Sequence, residues 1–281
     1  MLTVLEILKR TAEFLAKHGV ESSRLNAELL VGHSLGLQRM QLYLQFERPL
    51  TEPELVKLRP LVKRRSEREP LQYIVGSTDF AGIKLKVDRR ALIPRPESEL
   101  LLEFAKEKFA QTPARILDLG TGSGALALAL AHLFPIATIT AVDFNPAALE
   151  LAAENAALLS CTDRVRFLRS SWFDDLPPES AFELIVANPP YLSEAEMKET
   201  EPEVKDFEPG DALSSGPTGL EAVEAIIRTA KGYLAPLGLL MMETGIDQHR
   251  HLVELARTRG YSQVESRQDL TGRDRFILAA P

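Results

Sequence analysis

A chain of 281 residues leaves room for about two domains, and an apolar content of 45% with 6% aromatics describes an ordinary globule with a full core. A single cysteine, Cys161, excludes a disulfide framework. The start of the chain is an amphipathic helical pattern rather than a basic region with an apolar run and a cleavage site. The longest apolar run falls far short of a membrane span, so a cytoplasmic protein is expected. The net charge of −7 is unevenly spread. Residues 1–70 carry 12 Lys+Arg against 9 Asp+Glu, or +3, and the remainder carries −10. An acidic main part argues against a long phosphate-neutralising surface and leaves a protein partner open.

Thr3-Val4-Leu5-Glu6 is a capping-box pattern. Val4, Leu5, Leu8, Ala12 and Leu15 follow at helical spacing, with Gly19 as the stop. A second helix is predicted from Ser22 or Ser23 to Gly36, with Leu25, Leu29 and Leu30 inward, and a short third over 40–46. Thr51 and an early Pro53 open a fourth, whose apolar side is Leu55, Leu58, Leu61 and Val62. Residues 1–70 therefore read as a small helical bundle, and its basic run Lys63-Arg64-Arg65 as a solvated helix face.

Beyond Pro70, Gly76 and Gly82 with alternation at Ile83, Leu85 and Val87 predict one or two short strands, arranged as a hairpin that joins the domains. Phe80 is expected on its loop. The stiff turn Ile93-Pro94-Arg95-Pro96-Glu97-Ser98-Glu99 feeds a helix to about 109. On spacing alone it is a linker ending in a proline cap; a sharper reading places Arg95 and Glu97 beside a cofactor. From there strand and helix alternate, the pattern of an α/β layer fold. Strands are predicted over 114–119, 137–142, 165–168, 182–187 and 237–243, with two more marked by Val264 and by 276–278. Helices are predicted over 124–134, 145–159, 220–234 and 248–259. The acidic stretch 193–217 is longer than the usual connection and hence functional or mobile; it either faces a basic partner or is a solvated loop, and the second is preferred.

Two stretches carry chemistry. Asp118-Leu119-Gly120-Thr121-Gly122-Ser123-Gly124-Ala125 lies between a strand and its helix. Gly120 and Gly122 permit a tight turn and close approach of a ligand, and Gly124 close packing of the helix start. Asp143 ends the next strand, 19 positions past Gly124, where a carboxylate can accept from both ribose hydroxyls. Two ligands compete for this geometry: a dinucleotide, whose pyrophosphate sits on a helix N-terminus, and S-adenosylmethionine, which has no phosphate. Ser171 and Trp172 follow the next strand, where an adenine ring would lie; ordinary core packing is the rival role for Trp172.

The second stretch is the apolar strand at 182–187, which delivers Asn188-Pro189-Pro190-Tyr191 to its C-terminal end, the edge where open α/β sheets bind ligands. Each proline fixes φ and removes an N–H. The result is a stiff turn offering carbonyl oxygens and the Asn188 side-chain oxygen as acceptors, with the flat ring of Tyr191 beside them. Such a cup suits a planar –NH2 group, either a glutamine or asparagine amide or the exocyclic amine of adenine. His18, His33, His132, His249 and His251 all fall on predicted helices or their ends, so no metal site is expected.

These motifs resemble the class I (seven-stranded) S-adenosylmethionine-dependent methyltransferases. More closely, they resemble the PrmC (HemK) family, which methylates the glutamine of the Gly-Gly-Gln motif in peptide chain release factors. The likeness is carried by the helical front domain, by Pro70-Leu71-Gln72-Tyr73-Ile74-Val75-Gly76, by the turn 93–99 and by residues 118–124, 171–173 and 188–191. Ser98 stands where the family usually has Thr. The resemblance implies a doubly wound seven-stranded sheet preceded by a small helical bundle. The domains would be a substrate-recognition part at 1–70, a linker at 71–95 and a methyltransferase domain at 96–281. It implies S-adenosylmethionine as cofactor and release factors as protein partners, with no membrane or direct nucleic-acid contact. Gly120, Thr121, Gly122, Ser123 and Gly124 would line the methionine part, Asp143 the ribose and Trp172 the adenine. Asn188 would touch both cofactor and substrate. Asn188, Pro189, Pro190 and Tyr191 would hold the glutamine amide, with Phe80 helping to close the pocket. The rival readings are a ribosomal-protein glutamine methyltransferase, an adenine-specific methyltransferase acting on DNA or RNA, and a non-catalytic interaction protein on a relic fold.

Overall fold

The structure, a computed structural model, describes residues 2–281. The chain divides into two compact units, Met1–Ser77 with Glu201–Phe207, and Thr78–Thr200 with Glu208–Pro281. The division at Ser77 falls within the expected linker at 71–95, while 201–207, placed by the sequence reading within 96–281, groups with the first unit.

The first unit is helical: α1 (Val4–Lys17), α2 (Ser23–Leu35), α3 (Arg39–Leu44), α4 (Glu52–Ser66) and α5 (Leu71–Val75). Thr3 and Glu6 form the expected reciprocal cap of α1, Thr3 N donating to Glu6 Oε2 at 2.8 Å and Glu6 N to Thr3 Oγ1 at 3.3 Å. Its core joins Val4, Ile7, Leu8 and Leu15 to Ala27, Leu30, Val31 and Leu42. Leu25 and Leu29, expected inward, are 40% and 37% exposed. The face of α2 that turns in carries Asn26 and Glu28 instead. Apolar residues flank both sides of this helix, so its rotation is decided by polar groups that find partners. Glu28 accepts from Arg24, Arg39 and Tyr43, and Asn26 Oδ1 accepts from Arg65 Nε at 2.8 Å. Arg65 is accordingly not on a solvated face: it is 6% exposed. It also reaches the Glu69 carbonyl at 3.1 Å and Glu203 at 2.8 Å. Arg68 grips the same Glu203 with two nitrogens, at 2.8 and 2.5 Å.

The second unit opens with β1 (Ser77–Phe80) and β2 (Ile83–Lys86), a two-stranded sheet, and α6 (Leu100–Lys108). The strand–helix alternation follows as β3 (Arg115–Leu119), α7 (Ala125–Leu133), β4 (Thr138–Asp143), α8 (Pro146–Leu158), β5 (Val165–Arg169) and β6 (Phe182–Ala187). The region expected to be a solvated loop holds short elements: β7 (Leu192–Ser193), α9 (Glu194–Glu199), α10 (Pro202–Lys205, in the first unit) and β8 (Ser214–Gly216), with β7 pairing parallel to β8. Ser193 and Glu196 cap α9 reciprocally, a box present in the sequence but hidden by its acidity. The chain ends with α11 (Glu221–Ala230), β9 (Leu234–Glu243), α12 (His249–Thr258), β10 (Gln263–Gln268) and β11 (Asp274–Ala280).

The main sheet is seven-stranded, in the order β10-β11-β9-β6-β3-β4-β5. β3 pairs parallel with both β4 and β6, β6 pairs parallel with β9, and β11 runs antiparallel to β9. The strand period of two splits the core into two layers. Ile116, Leu184, Val186 and Met241 face one layer with α6 and α7. Leu117, Ile185, Ala187 and Met242 face the other with α11 and α12. Phe80, expected on a loop closing the pocket, is 1% exposed in the first layer. The chain winds outward from β3 through β4 to β5, then returns to its other side at β6. This is the reversal of strand order at which such sheets bind ligands.

Candidate active site

The turn after β3 is held from below. Asp118 ends up in the interior, where its Oδ2 accepts from Thr121 Oγ1 at 2.6 Å and from Ala127 N at 3.1 Å. One carboxylate thus ties the turn to the first turn of α7. Gly124 sits at φ +84° with the Ala152 Cβ 3.2 Å from where its own Cβ would be, so the turn packs directly on α8. Gly120 lies at φ +69° against the Trp172 ring. Trp172 itself holds φ 51°, a strained conformation for a bulky side chain and one that collects at functional sites.

A cavity of about 400 Å³ opens over this turn, within the range for small-molecule sites. Of the residues expected to bind a cofactor, Gly120, Gly122, Asp143, Ser171, Trp172 and Asn188 line it. Thr121, Ser123 and Gly124 do not: Thr121 and Ser123 are buried beneath the turn. Thr121 holds the turn's shape through its hydrogen bond to Asp118. The turn's own amides bear on the competition between ligands. Gly120 N and Thr121 N both donate to the Val142 carbonyl at 2.9 Å, and Gly124 N donates to the Thr121 carbonyl. Gly122 N donates to Asp143 Oδ2 at 2.8 Å. These four donors are thereby taken from any pyrophosphate. The lining charges agree: Asp143, Asp211 and Glu221 face Arg90 alone, and the Arg90 guanidinium is occupied by Asp88 and Glu154. Burial pushes the Asp143 carboxyl up from its ordinary value, and Asp211 pushes it further. A cationic ligand without phosphate, such as a sulfonium nucleoside, fits this lining. Phe144, next to Asp143 and 50% exposed, adds an aromatic wall.

The corner after β6 meets the same cavity. Asn188 and Pro190 line it; Pro189 is buried and Tyr191 half-buried, and neither belongs to the lining. Tyr191 does not offer its ring as a free platform there. Its hydroxyl donates to Glu243 Oε1 at 3.0 Å, and the Arg275 guanidinium carbon lies 5.4 Å from the ring centroid. Burial, with the Glu243 charge beside it, raises the Tyr191 hydroxyl well above its ordinary value, so it stays a donor. Gln248 Nε2 fixes the corner from behind, donating to the Tyr191 carbonyl at 2.9 Å. Asn188 Nδ2 donates to Ser98 Oγ at 2.9 Å, and Ser98 Oγ donates to Glu243 Oε2 at 2.6 Å. With Nδ2 engaged, Asn188 Oδ1 is left as an acceptor.

Sequence reasoning missed several contributors, Phe144 and Glu221 of the lining among them. Ser98 lies in the proline turn that spacing alone makes a linker. Arg95 of that turn pairs with Glu208 at 2.7 Å, away from the cavity lining, and Glu97 is not in the lining either. Glu243 carried a signal, a charged residue closing an apolar strand. Pro209, Asp211, Ala212, Ser214 and Ser215 line the cavity, a part that the reading of 193–217 as a partner-facing or solvated loop did not assign.

Comparison with known proteins agrees with this geometry. The PrmC N-terminal domain family matches residues 6–76, and the methyltransferase small domain family matches residues 96–204. The chain is 40% identical over 275 residues to the release factor glutamine methyltransferase of Geobacter sulfurreducens, spanning 98% of this chain and 95% of that protein. It is 41% identical over 285 residues to that of Chlorobaculum tepidum, spanning 98% and 96%. Among solved structures, a ribosomal RNA methyltransferase of T. thermophilus in complex with AdoMet and guanosine is similar in fold. That match has TM-score 0.52 and 21% identity, over 73% of this chain and 49% of that one.

Proposed function

The chain belongs to the release factor glutamine methyltransferase family, and from that premise we propose how its residues move a methyl group from S-adenosylmethionine to the side-chain amide nitrogen of the glutamine in a release factor's Gly-Gly-Gln motif. The observation that carries the reading is the orientation of Asn188, whose Nδ2 is taken by Ser98 while its Oδ1 remains an acceptor at the cavity lining.

An amide nitrogen is a weak nucleophile because its lone pair is delocalised into the carbonyl. Asn188 Oδ1, at the lining, accepts one amide hydrogen, and a main-chain carbonyl of the Pro189-Pro190 corner accepts the other. They thereby aim the nitrogen's face into the cavity and favour the positive charge that builds on it. When bound, S-adenosylmethionine supplies a methyl carbon made electrophilic by its sulfonium sulfur. Gly120 and Gly122 give room for its methionine part, Asp143 accepts from the ribose, and Phe144, Ser171 and Trp172 receive the adenine. Asp211 and Glu221 favour the cationic cofactor. Positioning carries most of the rate, and well-aligned geometry supplies roughly 7–11 kcal/mol in comparable reactions. No strong base is needed, since the nitrogen proton becomes acidic once the methyl arrives; it leaves to water. No histidine is in the cavity lining.

We place the reaction in the cytoplasm, with a release factor as the partner and no nucleic-acid contact. Among the described residues no helix is long and apolar enough to cross a membrane. The test is incubation with methyl-labelled cofactor and a release factor, a ribosomal protein and DNA, followed by mapping of the label. Label is expected on the Gly-Gly-Gln glutamine and is lost when that glutamine is replaced by asparagine. Label on the ribosomal protein or on DNA instead overturns the reading.

A further inference from the structure

We infer that Glu243, acting through Ser98, decides which end of the Asn188 amide faces the cavity, and so serves as a positioning residue for methyl transfer. The inference rests on the functional reading above and adds a part to that site.

Hydrogen-bond direction sets the orientation. A carboxylate only accepts, so the Ser98 hydroxyl, 2.6 Å from Glu243 Oε2, spends its single hydrogen there. Ser98 Oγ can then only accept from Asn188, 2.9 Å away, and the amide end that donates is Nδ2. The acceptor end is thereby turned to the cavity before any substrate arrives. Glu243 is itself held in direction. It is 1% exposed, its other oxygen accepts from the Tyr191 hydroxyl at 3.0 Å, and Arg275 Nε lies 3.9 Å from that same oxygen. Arg275 Nε is buried without a hydrogen-bond partner, a second donor facing the Oε1 side. Ser98 is 3% exposed, so water does not compete for its hydrogen.

Glu243→Gln tests this with almost no change of shape. Tyr191 and Arg275 both present donors to the Oε1 side, so the oxygen of the introduced amide stays there and its –NH2 faces Ser98. Ser98 then accepts from that –NH2, and its own hydrogen turns to Asn188. The asparagine rotates to meet it, and its –NH2 end replaces the acceptor in the cavity.

The measurements are turnover on a release factor and on a Gly-Gly-Gln peptide, the Kd of S-adenosylhomocysteine, and Tm. The expectation for Glu243→Gln is a kcat lowered roughly 10²-fold, the scale of losing one oriented group at a reacting centre. The Kd should stay within about twofold, and Tm should fall by only a few degrees, because the introduced amide keeps the hydrogen bonds while Arg275 loses its counter-charge. Ser98→Ala should lower kcat comparably, and Ser98→Thr, which keeps the hydroxyl, should restore it to near wild type. Should Glu243→Gln fold poorly, the Ser98 pair decides alone. The inference is overturned if Glu243→Gln turns over within about twofold of wild type. It is equally overturned if turnover and cofactor binding fall together, or if Ser98→Thr is as impaired as Ser98→Ala. A wild-type enzyme that leaves the glutamine unlabelled overturns the functional reading, and this inference with it.

Discussion

Asp118 is closed off from water at the end of a central strand, with Oδ2 held by Thr121 and Ala127 and Oδ1 buried without a hydrogen-bond partner. Burial raises its carboxyl to about 7, against the attraction of those two donors. In the unfolded chain it titrates near the ordinary Asp value of about 3.9. The folded state therefore binds the extra proton between about pH 4 and pH 7, and stability falls as pH rises through that window. Asp118→Asn keeps an acceptor for Thr121 and Ala127 and has no proton to lose. In the cofactor-free protein, its Tm relative to wild type should rise from about pH 4 to about pH 7 and level off above that; a constant difference would show that Asp118 is not charged in this way. Asn188 answers a different question at the same scale. Asn188→Ala should cut kcat roughly 10²-fold by removing one acceptor, with S-adenosylhomocysteine Kd changed far less. Loss of cofactor binding with full turnover at saturation would contradict its role.

At the scale of elements, the wall over the cavity depends on a pair outside it. Glu208, its side chain 2% exposed, accepts from Ile93 N at 3.1 Å and from Arg95 Nη2 at 2.7 Å. It directly precedes Pro209 and the residues up to Ser215 that line the cavity. The proline turn and the wall are therefore one assembly. Arg95→Met strands a buried carboxylate, a loss of up to about 3 kcal/mol when one partner of a buried pair is removed. Isothermal titration should show S-adenosylhomocysteine binding about tenfold more weakly, by about 1.4 kcal/mol, because the wall is loosened. An unchanged Kd would mean that the wall stands without its anchor.

For the whole molecule, the two units share a chain that passes between them more than once, since Glu201–Phe207 belongs to the first unit. Arg65 and Arg68 hold Glu203 there. A truncation at residue 70 would remove both arginines, so the first unit's part in substrate choice is better tested by substitution. Arg65→Met removes the partner of Asn26 and leaves Glu203 to Arg68 alone. Differential scanning calorimetry should show the first unit's transition lowered by several degrees, for a loss of about 1–3 kcal/mol. S-adenosylhomocysteine Kd should stay within about twofold, as every lining residue lies in the second unit. An equal loss of cofactor binding would refute that independence.

The alternation of apolar strands and helices, the glycine turn with Asp143 after it, and the stiff Asn-Pro-Pro-Tyr corner were all readable from local pattern, because each depends on residues close together in the chain. Periodicity could not settle the rotation of α2, which Asn26 and Glu28 fix through partners elsewhere in the sequence. Nor could it show that Ser98 and Glu243, 145 positions apart, meet Asn188 at one point, or that an acidic stretch folds into a cavity wall. The residues themselves determined a sheet fold with a nucleoside-sized turn and a rigid corner of acceptors. Tertiary structure alone decided the direction of each hydrogen bond there, because a donor is spent or free according to which distant side chain packs against it.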